Sequence, residues 1–379
     1  MKNKKILYIV SNDKFFITHR IPVALQAKKL GYEIHLATIR STSNKYLNSL
    51  GIFTHKLCKK NTENKFILLI SSFLNTLKIV KKINPNIIQI ITIFNILSSG
   101  FALLFTRQKN IIFSVSGLGF IFTDNKFFTK LVKFLITKIL FLIFFIKQPK
   151  VIFQNKQDYN DLDKHNILIK KNVIFIKGSG VDTKKYFGGN NNFSRINILF
   201  ASRLLIHKGI VEFLEAAELV KKDYRKINFI VAGKIDTNNP SFINKNTLLD
   251  FQKKNVIKYV GHFENIRNIF KKTSILVLPS YREGTPKIII EALSYGIPVI
   301  ASKISGCETI IKHRKNGILV PVKNSKALAS AIIQLSKNKK LMNYFKKKGR
   351  LLAKKELDIK LVINKHLKIY NQLIKLYIK

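Results

Sequence analysis

The sequence of 379 residues contains no tryptophan and only two cysteines, Cys58 and Cys307. The two cysteines lie far apart and lack the spacing of metal ligands, so we expect neither a disulfide framework nor a zinc site. A chain so poor in cysteine is suited to a reducing cytoplasm. The apolar run at residues 6–10 is shorter than the hydrophobic region of a signal peptide, and we expect no targeting segment.

Acidic residues are also scarce, with 20 against 68 basic residues and a formal charge of +48. Lysine, isoleucine and asparagine are all overused, which indicates a compositional bias that accounts for part of this charge. The rest predicts a partner with negative charge, such as anionic lipid headgroups or diphosphates. Because the lysines are spread evenly and no nucleic-acid-binding motif is recognised, we expect no nucleic acid partner.

An uninterrupted hydrophobic run long enough to cross a membrane is missing. Residues 126–146 are the most apolar, but Lys130, Lys133 and Lys138 interrupt them, and a spanning helix needs about 20 residues with few charges. The segment predicts either an amphipathic helix in the interface of an anionic membrane or a buried helix of the N-terminal domain. The sequence leaves both open.

Short apolar runs alternate with helical patterns along the chain. Residues 6–10, 33–38 and 87–91 predict buried strands, and residues 19–30 predict a helix after a loop at 11–18. This order predicts an α/β fold with doubly wound parallel sheets, whose ligands gather at the carboxyl ends of the strands. The loop has no glycine, which argues against an NAD enzyme. The length suffices for two domains.

The most informative stretch is residues 275–298. Residues 275–279 predict a strand, Thr285 a helix N-cap, Pro286 the first helical position and Gly296 the helix end. The loop before such a helix is exposed to free backbone N–H groups and to the positive end of the helix dipole. We therefore expect it to hold an anion, most plausibly a phosphate.

Two carboxylates flank this loop. Glu283 lies within it and Glu291 lies inside the predicted helix, with seven residues between them. Glu291 is surrounded by apolar residues, a poor place for a charge without a partner. On chemistry alone, Glu291 is equally explained by an i,i+4 pair with Lys287 on a solvated face.

The ordered run resembles the signature of retaining glycosyltransferases of family 4, the glycosyl transferases group 1. The pattern continues through Gly284 and residues 296–298, 306–308 and 316–320. Residues 15–22 and 31–38 are similar to the N-terminal half of the branch that acts on polyprenyl-diphosphate-linked sugars. The resemblance covers nearly the whole chain.

The resemblance implies the GT-B fold, in which two doubly wound, Rossmann-like parallel-sheet domains face each other. It places an acceptor-side domain at residues 1–183 and a nucleotide-sugar-binding domain at residues 184–356. A C-terminal helix, residues 357–379, would then pack back on the first domain.

The implied reaction moves a hexose or N-acetylhexosamine, with retention, from a nucleotide diphosphate sugar such as a UDP-sugar. The implied acceptor is a polyprenyl-diphosphate-linked or other glycan, in bacterial surface polysaccharide, lipopolysaccharide or capsule biosynthesis. The resemblance implies no metal or other cofactor, and a cytoplasmic enzyme peripheral on the inner face of the plasma membrane. The alternatives are a sugar-nucleotide epimerase of the same fold and a basic nucleic-acid-binding or membrane-binding protein.

The resemblance also assigns roles on the donor side. Arg203, Lys208 and Glu283 would be catalytic: the two cations would stabilise the leaving diphosphate, and Glu283 would hold the donor sugar and steady positive charge at its anomeric carbon. Glu291 would accept hydrogen bonds from the ribose hydroxyls. The other implied donor-binding residues are Gly284, Thr285 and Pro286.

On the acceptor side, the resemblance implies roles for His19, Arg20, Ser116 and Gly117. His19 is also explained by an ordinary histidine with a satisfied ring, and the loop at residues 114–120 by a plain turn. Family members commonly have a histidine and a Lys-Pro pair where this chain has Gln89 and Phe94-Asn95. The roles of those family residues cannot be transferred.

Overall fold

The computed structural model describes residues 4–58, 62, 64–118, 127–188, 195–237 and 239–378. The chain forms two compact units: unit 1 is Met1–Ser179 with Lys360–Lys379, and unit 2 is Gly180–Ile359. Each unit contains one parallel sheet covered by helices, which confirms the predicted α/β fold class. The predicted domain boundaries, after residues 183 and 356, lie a few residues from these limits.

Unit 1 has a seven-stranded parallel sheet in the order β3-β2-β1-β4-β5-β6-β7. Its strands are β1 (Lys4–Asn12), β2 (Tyr32–Arg40), β3 (Ile52–Lys56), β4 (Ile87–Ile91), β5 (Ile111–Val115), β6 (Lys150–Phe153) and β7 (Val173–Phe175). Its helices are α1 (Asp13–His19), α2 (Ile21–Lys29), α3 (Asn44–Ser49), α4 (Lys65–Ile83), α5 (Ile93–Asn95), α6 (Phe127–Lys147) and α7 (Lys156–Asp163). Strands β4 and β5 are wholly buried, as expected when helices cover both faces.

Unit 2 has a six-stranded parallel sheet in the order β10-β9-β8-β11-β12-β13. Its strands are β8 (Asn197–Ala201), β9 (Asn228–Ala232), β10 (Lys258–Tyr259), β11 (Ile275–Leu278), β12 (Val299–Ser302) and β13 (Ile318–Val320). Its helices are α8 (Ile210–Asp223), α9 (Lys245–Lys253), α10 (Ile266–Phe270), α11 (Lys287–Tyr295), α12 (Ser305–Glu308), α13 (Ser325–Lys337) and α14 (Lys339–Leu352). Two apolar clusters form its core.

The predicted loop at residues 11–18 is wrong, because most of it forms α1. The Asn12 side chain accepts a hydrogen bond from the Phe15 N–H at 2.7 Å, and Asp13 lies in the first turn, where a negative charge suits the helix dipole. A break at Arg20 then separates α1 from α2. An asparagine N-cap followed by an acidic residue favours the start of a helix, and these two residues explain why the segment is helical and not a loop.

The C-terminal helix α15 (Ile359–Ile378) follows a π-helical turn, and all but its first residue belong to unit 1. A chain of side-chain hydrogen bonds links it to the sheet. The Tyr370 hydroxyl donates to Gln89 Oε1 at 2.6 Å, the Tyr8 and Tyr370 hydroxyl oxygens are 2.8 Å apart, and the Gln89 amide donates to Ser114 Oγ at 2.9 Å. Gln89 therefore has a structural role here, since it connects α15 to β5.

We expect unit 1 to lose stability in mild acid through His366 on α15. Burial and the nearby charge of Arg20 lower the pKa of His366 to about 3. Between pH 6.5 and 3 the unfolded chain binds a proton that the folded chain does not, so stability falls as the pH falls. One pKa unit corresponds to about 1.4 kcal/mol, which gives a loss of about 2 kcal/mol from pH 6.5 to 5.

Urea unfolding of His366→Phe at pH 7, 6 and 5 tests this expectation. The variant should have a flatter pH dependence than the parent, while His262→Phe at an exposed position should keep the parent's slope. The pKa values of His35 and His55 are also lowered, chiefly by burial, so the slope should decrease without vanishing. An unchanged slope in His366→Phe would show that this histidine is not the acid-sensitive group.

Both cysteines are free and buried. The described part of the apolar segment, from residue 127, lies in α6. One face of α6 is buried through Leu140, Ile143 and Phe144, and the opposite face is exposed. Within the part of the chain that the structure describes, no helix combines the length and the hydrophobicity needed to cross a membrane.

Candidate functional site

The candidate site of unit 2 lies where the sheet changes winding direction. Strands β8 and β11 are neighbours, with Leu199 opposite Leu276, and the sheet extends from them to β9 on one side and to β12 on the other. In doubly wound sheets this is the crevice in which ligands bind, beyond the carboxyl ends of the two central strands. The loop at residues 202–209 follows β8, and the loop at residues 279–286 follows β11.

Lys208 and Glu283, from these two loops, form a close ion pair. Lys208 Nζ lies 2.6 Å from Glu283 Oε1, and the side chains are 15% and 14% exposed. A largely desolvated pair with this geometry interacts more strongly than a surface pair. The lysine ammonium has three N–H donors, so it can hold Glu283 and bind a second anion at once. The structure thus brings together two of the three predicted catalytic residues.

Hydrogen bonds join the two loops. The Tyr281 N–H donates to the His207 carbonyl at 3.0 Å, and the Tyr281 hydroxyl donates to Glu212 Oε1 at 2.6 Å. Ser280 Oγ donates to the Lys208 carbonyl at 3.4 Å. Since every one of these bonds joins residues far apart in sequence, the position of Lys208 relative to Glu283 is set by the fold of unit 2.

Two glycines allow this close packing. A Cβ at Gly306, in α12, would lie 2.3 Å from the carbonyl oxygens of Glu283 and Gly284. A Cβ at Gly209 would lie 2.1 Å from the carbonyl oxygen of Pro279, and Gly209 has a φ of +78°. The backbone of the Glu283 loop therefore rests directly on the start of α12, which no other residue type permits at Gly306 without displacement.

The start of α11 differs from the prediction. The N-cap is Pro286, with φ −69° and ψ 117° and no side-chain capping bond, and the helix begins at Lys287. The extended ψ of Pro286 leaves Thr285 outside the helix, in the loop with Gly284, so Thr285 as N-cap and Pro286 as first helical residue are wrong. The predicted helix end is confirmed, since Gly296 has a left-handed φ of 84°.

Glu291 lies on the buried side of α11. Lys287 Nζ is 3.6 Å from Glu291 Oε1, so the predicted i,i+4 pair is confirmed, but Glu291 is only 7% exposed and the face is not solvated. Burial raises the pKa of Glu291, while the Lys287 charge and a hydrogen bond from Tyr186 act in the opposite direction. Because burial and Glu291 itself raise the pKa of Tyr186, its hydroxyl stays protonated and donates.

Tyr186 is a site residue that the sequence did not reveal. Its carbonyl accepts hydrogen bonds from Ser294 Oγ at 2.8 Å and from Arg350 Nη1 at 2.9 Å. Arg350 also donates to the Thr183 carbonyl at 2.7 Å, so it fastens the start of unit 2 to α11. No local sequence pattern identifies Tyr186, because the Glu291 side chain to which it hydrogen-bonds is far away in the sequence.

Arg203, the third predicted catalytic residue, is more exposed than the ion pair. Its side chain is 58% exposed and its Nη1 lies 3.5 Å from Asp236 Oδ2. The pKa of His207 is lowered first by burial, and then by the charges of Lys208 and Arg203. Both predicted cations therefore act on the electrostatics around His207, but only Lys208 contacts Glu283.

The predicted acceptor-side residues lie in unit 1. His19 ends α1, its ring stacks on Phe15 with centroids 4.3 Å apart, and its Nδ1 lies 2.6 Å from Thr18 Oγ1. The Nδ1 atom of His19 therefore has a hydrogen-bond partner within α1, and the acceptor-side role stays a prediction. Ser116 and Gly117 directly follow β5 at the carboxyl edge of the sheet. Residues 119 and 120 of the predicted loop lie outside the described residues.

Arg20 needs a correction. Arg20 opens a helix as expected, since it is the N-cap of α2, but the side chain expected to meet the acceptor is only 1% exposed. Its charge acts on Tyr8, Tyr370 and His366, which belong to β1 and α15. The Arg20 side chain is therefore buried beside β1 and α15.

A strained residue marks the carboxyl edge of unit 1. Thr92, which follows β4, has a φ of 78°, a region that β-branched residues rarely adopt. The Asn95 amide donates to Thr92 Oγ1 at 3.1 Å and to Ser11 Oγ at 3.2 Å. Strained residues of this kind are concentrated at ligand sites. Thr92 lies next to the neighbouring strands β1 and β4, where the sheet of unit 1 changes winding direction. The sequence did not predict the positive φ of Thr92.

Comparison with known proteins matches each unit to a glycosyltransferase family model. Residues 182–352 match the model of "Glycosyl transferases group 1", and residues 5–146 match that of "Glycosyl transferase 4-like". A relative from Campylobacter jejuni, N,N'-diacetylbacillosaminyl-diphospho-undecaprenol alpha-1,3-N-acetylgalactosaminyltransferase, is 28% identical over 94% of this chain and 95% of its own.

Solved structures agree in fold. A glycosyltransferase from Rickettsia africae has a TM-score of 0.77 at 22% identity, covering 99% of this chain and 100% of its own. The Anabaena protein HepE in complex with UDP and glucose has a TM-score of 0.76 at 15% identity, covering 96% and 98%. The relatives support the transferase interpretation and not the epimerase or nucleic-acid alternatives. With the Lys208–Glu283 site at the winding change of unit 2 and matches to glycosyltransferase models in both units, this chain is a glycosyltransferase of the GT-B fold.

Proposed function

We propose that the protein transfers a hexose or N-acetylhexosamine, with retention of anomeric configuration, from a UDP-sugar to a polyprenyl-diphosphate-linked glycan of the bacterial cell surface. The observation that carries the proposal is the buried Lys208–Glu283 pair at the carboxyl ends of β8 and β11. The Campylobacter relative is named for an undecaprenol-diphosphate-linked acceptor and HepE was solved with UDP, which supports both substrate classes.

Departure of the nucleoside diphosphate is the difficult step, since negative charge accumulates on its terminal phosphate as the bond to the sugar breaks. Lys208 lies where it can receive that charge while it still holds Glu283. The backbone amides around Gly284 and Thr285, beside the start of α11, would add to this stabilisation. Arg203, exposed and in a weak pair with Asp236, can turn its planar fork towards a phosphate.

The two glutamates have different roles in this proposal. Glu283, held by Lys208, would bind the donor sugar and stabilise positive charge at its anomeric carbon. Glu291, held by Lys287 and Tyr186, would accept hydrogen bonds from the ribose hydroxyls. In this proposal Lys208 and the amides would carry the leaving charge without a resident metal.

The acceptor proposed here is anchored in a membrane by its polyprenyl chain. The protein would therefore work as a peripheral enzyme on the cytoplasmic face of the plasma membrane. The strained Thr92, with Ser116 and Gly117, lies at the carboxyl edge of unit 1, the position at which doubly wound sheets bind ligands. We assign this edge to the acceptor.

Thermal stabilisation by a panel of nucleotide sugars, followed by turnover with a synthetic polyprenyl-diphosphate sugar, tests the proposal. A UDP-sugar at a hundredfold excess over its Kd should stabilise the protein by about 2.7 kcal/mol, and Lys208→Ala should reduce the effect. Product NMR should show the donor's anomeric configuration. Conversion of the sugar nucleotide without acceptor would point to an epimerase instead, and no response to any nucleotide sugar would refute the proposal.

Tyr186→Phe should weaken donor binding with an altered pH profile. The hydroxyl donates to the Glu291 carboxylate, so its loss should raise the pKa of Glu291 further and protonate a larger fraction of it near neutral pH. A hydrogen bond to a charged group is worth about 1.5–3 kcal/mol, which corresponds to a rise of about tenfold or more in the KM for the donor.

The acid limb of donor binding should move to higher pH in Tyr186→Phe, while kcat changes little. Tyr344→Phe, at an exposed tyrosine of α14, is the matched control and should leave the pH profile unchanged. A rise in KM without any shift of the acid limb would show that Tyr186 acts on packing and not through Glu291.

A further inference from the structure

The outer face of α6 is an apolar surface that the proposed reaction does not use. Leu140, Ile143 and Phe144 fill the core of unit 1, yet the other side of the helix also consists of large apolar residues. The exposed ones are Phe134, Leu135, Ile139, Phe141, Leu142, Phe145 and Ile146, with exposures from 37% to 67%. A helix that is apolar all round is normally covered on all sides.

Helix α4 continues this surface on the same side of the sheet. Its exposed stripe contains Ile67, Ile70 and Leu74 and then, at helical spacing, Lys78 and Lys81. The connections β3 to β4, β4 to β5 and β5 to β6 run in one direction along the sheet. Right-handed crossovers therefore place their helices on one face.

The segment between β4 and β5 joins the two helices. The ring of Phe73 on α4 lies 5.9 Å from Phe101 and 5.7 Å from Phe105, and Phe105 is itself exposed. Lys147, at the end of α6, donates to the Thr106 carbonyl at 2.7 Å. We call the exposed residues of α4, Phe105 and the exposed residues of α6 the apolar–lysine face.

The charges around this face have one sign. Neither α4 nor α6 contains an acidic residue, while both contain several lysines. Lys138 lies among the exposed phenylalanines, with its Nζ 5.3 Å from the ring centroid of Phe134. A surface on which large apolar side chains alternate with lysines matches the boundary between acyl chains and anionic headgroups.

We propose that the apolar–lysine face docks the protein on an anionic lipid bilayer, with Phe134, Phe141 and Phe145 inserted at the acyl boundary and with Lys78, Lys81 and Lys138 on the headgroups. The inference rests on the proposed function in one respect, since the bilayer is where a polyprenyl-linked acceptor resides. A second copy of the chain fits this face less well, because two copies would bring lysines against lysines with no acid on either helix.

Flotation of the full chain with vesicles tests the proposal. Binding to vesicles of phosphatidylglycerol and phosphatidylcholine should exceed binding to phosphatidylcholine alone by about tenfold or more and should fall with added salt. The double variant Phe141→Asp/Phe145→Asp should lose at least tenfold in partition. The matched control, Tyr344→Asp/Leu351→Asp on α14 of unit 2, adds the same charge at two exposed apolar positions and should bind as the parent does.

The lysines are tested separately. Lys78→Gln/Lys81→Gln should weaken binding to anionic vesicles and leave the weak binding to neutral vesicles unchanged. Equal loss of vesicle binding in the α6 and α14 variants would overturn the proposal, as would a parent that does not float with anionic vesicles. A dimer in sedimentation equilibrium that dissociates in the α6 variant, without vesicle binding, would assign the face to a second copy instead.

Turnover with a water-soluble, short-chain acceptor separates this inference from the proposed function. Phe141→Asp/Phe145→Asp should keep the parent's kcat/KM with that acceptor and lose activity only with a long-chain acceptor in anionic vesicles. Vesicle binding without turnover of any acceptor would refute the proposed function but not the docking proposal. Turnover by a parent protein that does not bind vesicles would refute the docking role of the apolar–lysine face but not the proposed function.

Discussion

Lys208→Ala should lower kcat/KM for the nucleotide sugar by about a hundredfold or more, because removal of one group that stabilises developing negative charge costs about that much. The substitution also leaves Glu283 largely buried without its partner at 2.6 Å, so part of the loss will come from a displaced carboxylate. Steady-state kinetics with the donor identified in the thermal screen would measure it. Lys326→Ala, at an exposed position of α13, should be indistinguishable from the parent.

A double-mutant cycle with Glu283→Gln separates the two contributions of Lys208. If Lys208 acts only by holding Glu283, then Lys208→Ala should have no further effect in the Glu283→Gln background. If it also stabilises the leaving diphosphate, as proposed, the double variant should be slower than Glu283→Gln alone. A single variant Lys208→Ala with near-parental kcat/KM would remove this lysine from the catalytic machinery.

Gly306→Ala should damage the site although it adds only one methyl group and replaces no proposed catalytic residue. The new Cβ would lie 2.3 Å from the carbonyl oxygens of both Glu283 and Gly284, so the loop must move. Overpacking of this kind costs about 1–3 kcal/mol of stability, and a displacement of about 1 Å at a catalytic group can lower the rate about a hundredfold. We expect kcat/KM to fall by about tenfold to a hundredfold.

The control for Gly306→Ala is Gly261→Ala. Gly261 has a φ of +72°, and a Cβ at this position would have no other heavy atom within 4 Å, so alanine there strains the backbone without a clash. It should cost about 1 kcal/mol and leave kcat/KM unchanged. Denaturant unfolding curves and steady-state kinetics on both variants would measure their stability and their kcat/KM. If Gly306→Ala and Gly261→Ala were equal in kcat/KM, the packing of α12 would not set the position of Glu283.

Much of the architecture was readable from the sequence. The strand predicted at residues 87–91 is β4, with the same bounds, and the strand predicted at residues 275–279 is β11, one residue shorter. Long periodic segments are readable because local hydrophobic spacing and burial agree there. The loop at residues 11–18 failed because its cap residues, Asn12 and Asp13, outweighed the absence of an apolar period.

The candidate site was readable only in part. Residue type and order alone nominated Lys208, Glu283 and Glu291, because their spacing matches a family signature. The same reasoning did not predict that Arg20 is buried beside α15, a helix from the other end of the chain. It also did not detect Tyr186, because its partner Glu291 is distant in sequence. A single sequence contains no record of which distant side chains meet.

The sequence by itself therefore determined the fold class, the family and the identity of the charged residues, since these depend on composition, period and order along the chain. Only the tertiary structure decided that Lys208 forms an ion pair with Glu283 and that Gly306 packs against the loop of Glu283. It also decided that α4 and α6 share one exposed apolar–lysine face. Those facts depend on contacts between residues far apart in sequence, which the parallel sheets create when they bring the ends of separated strands to one edge.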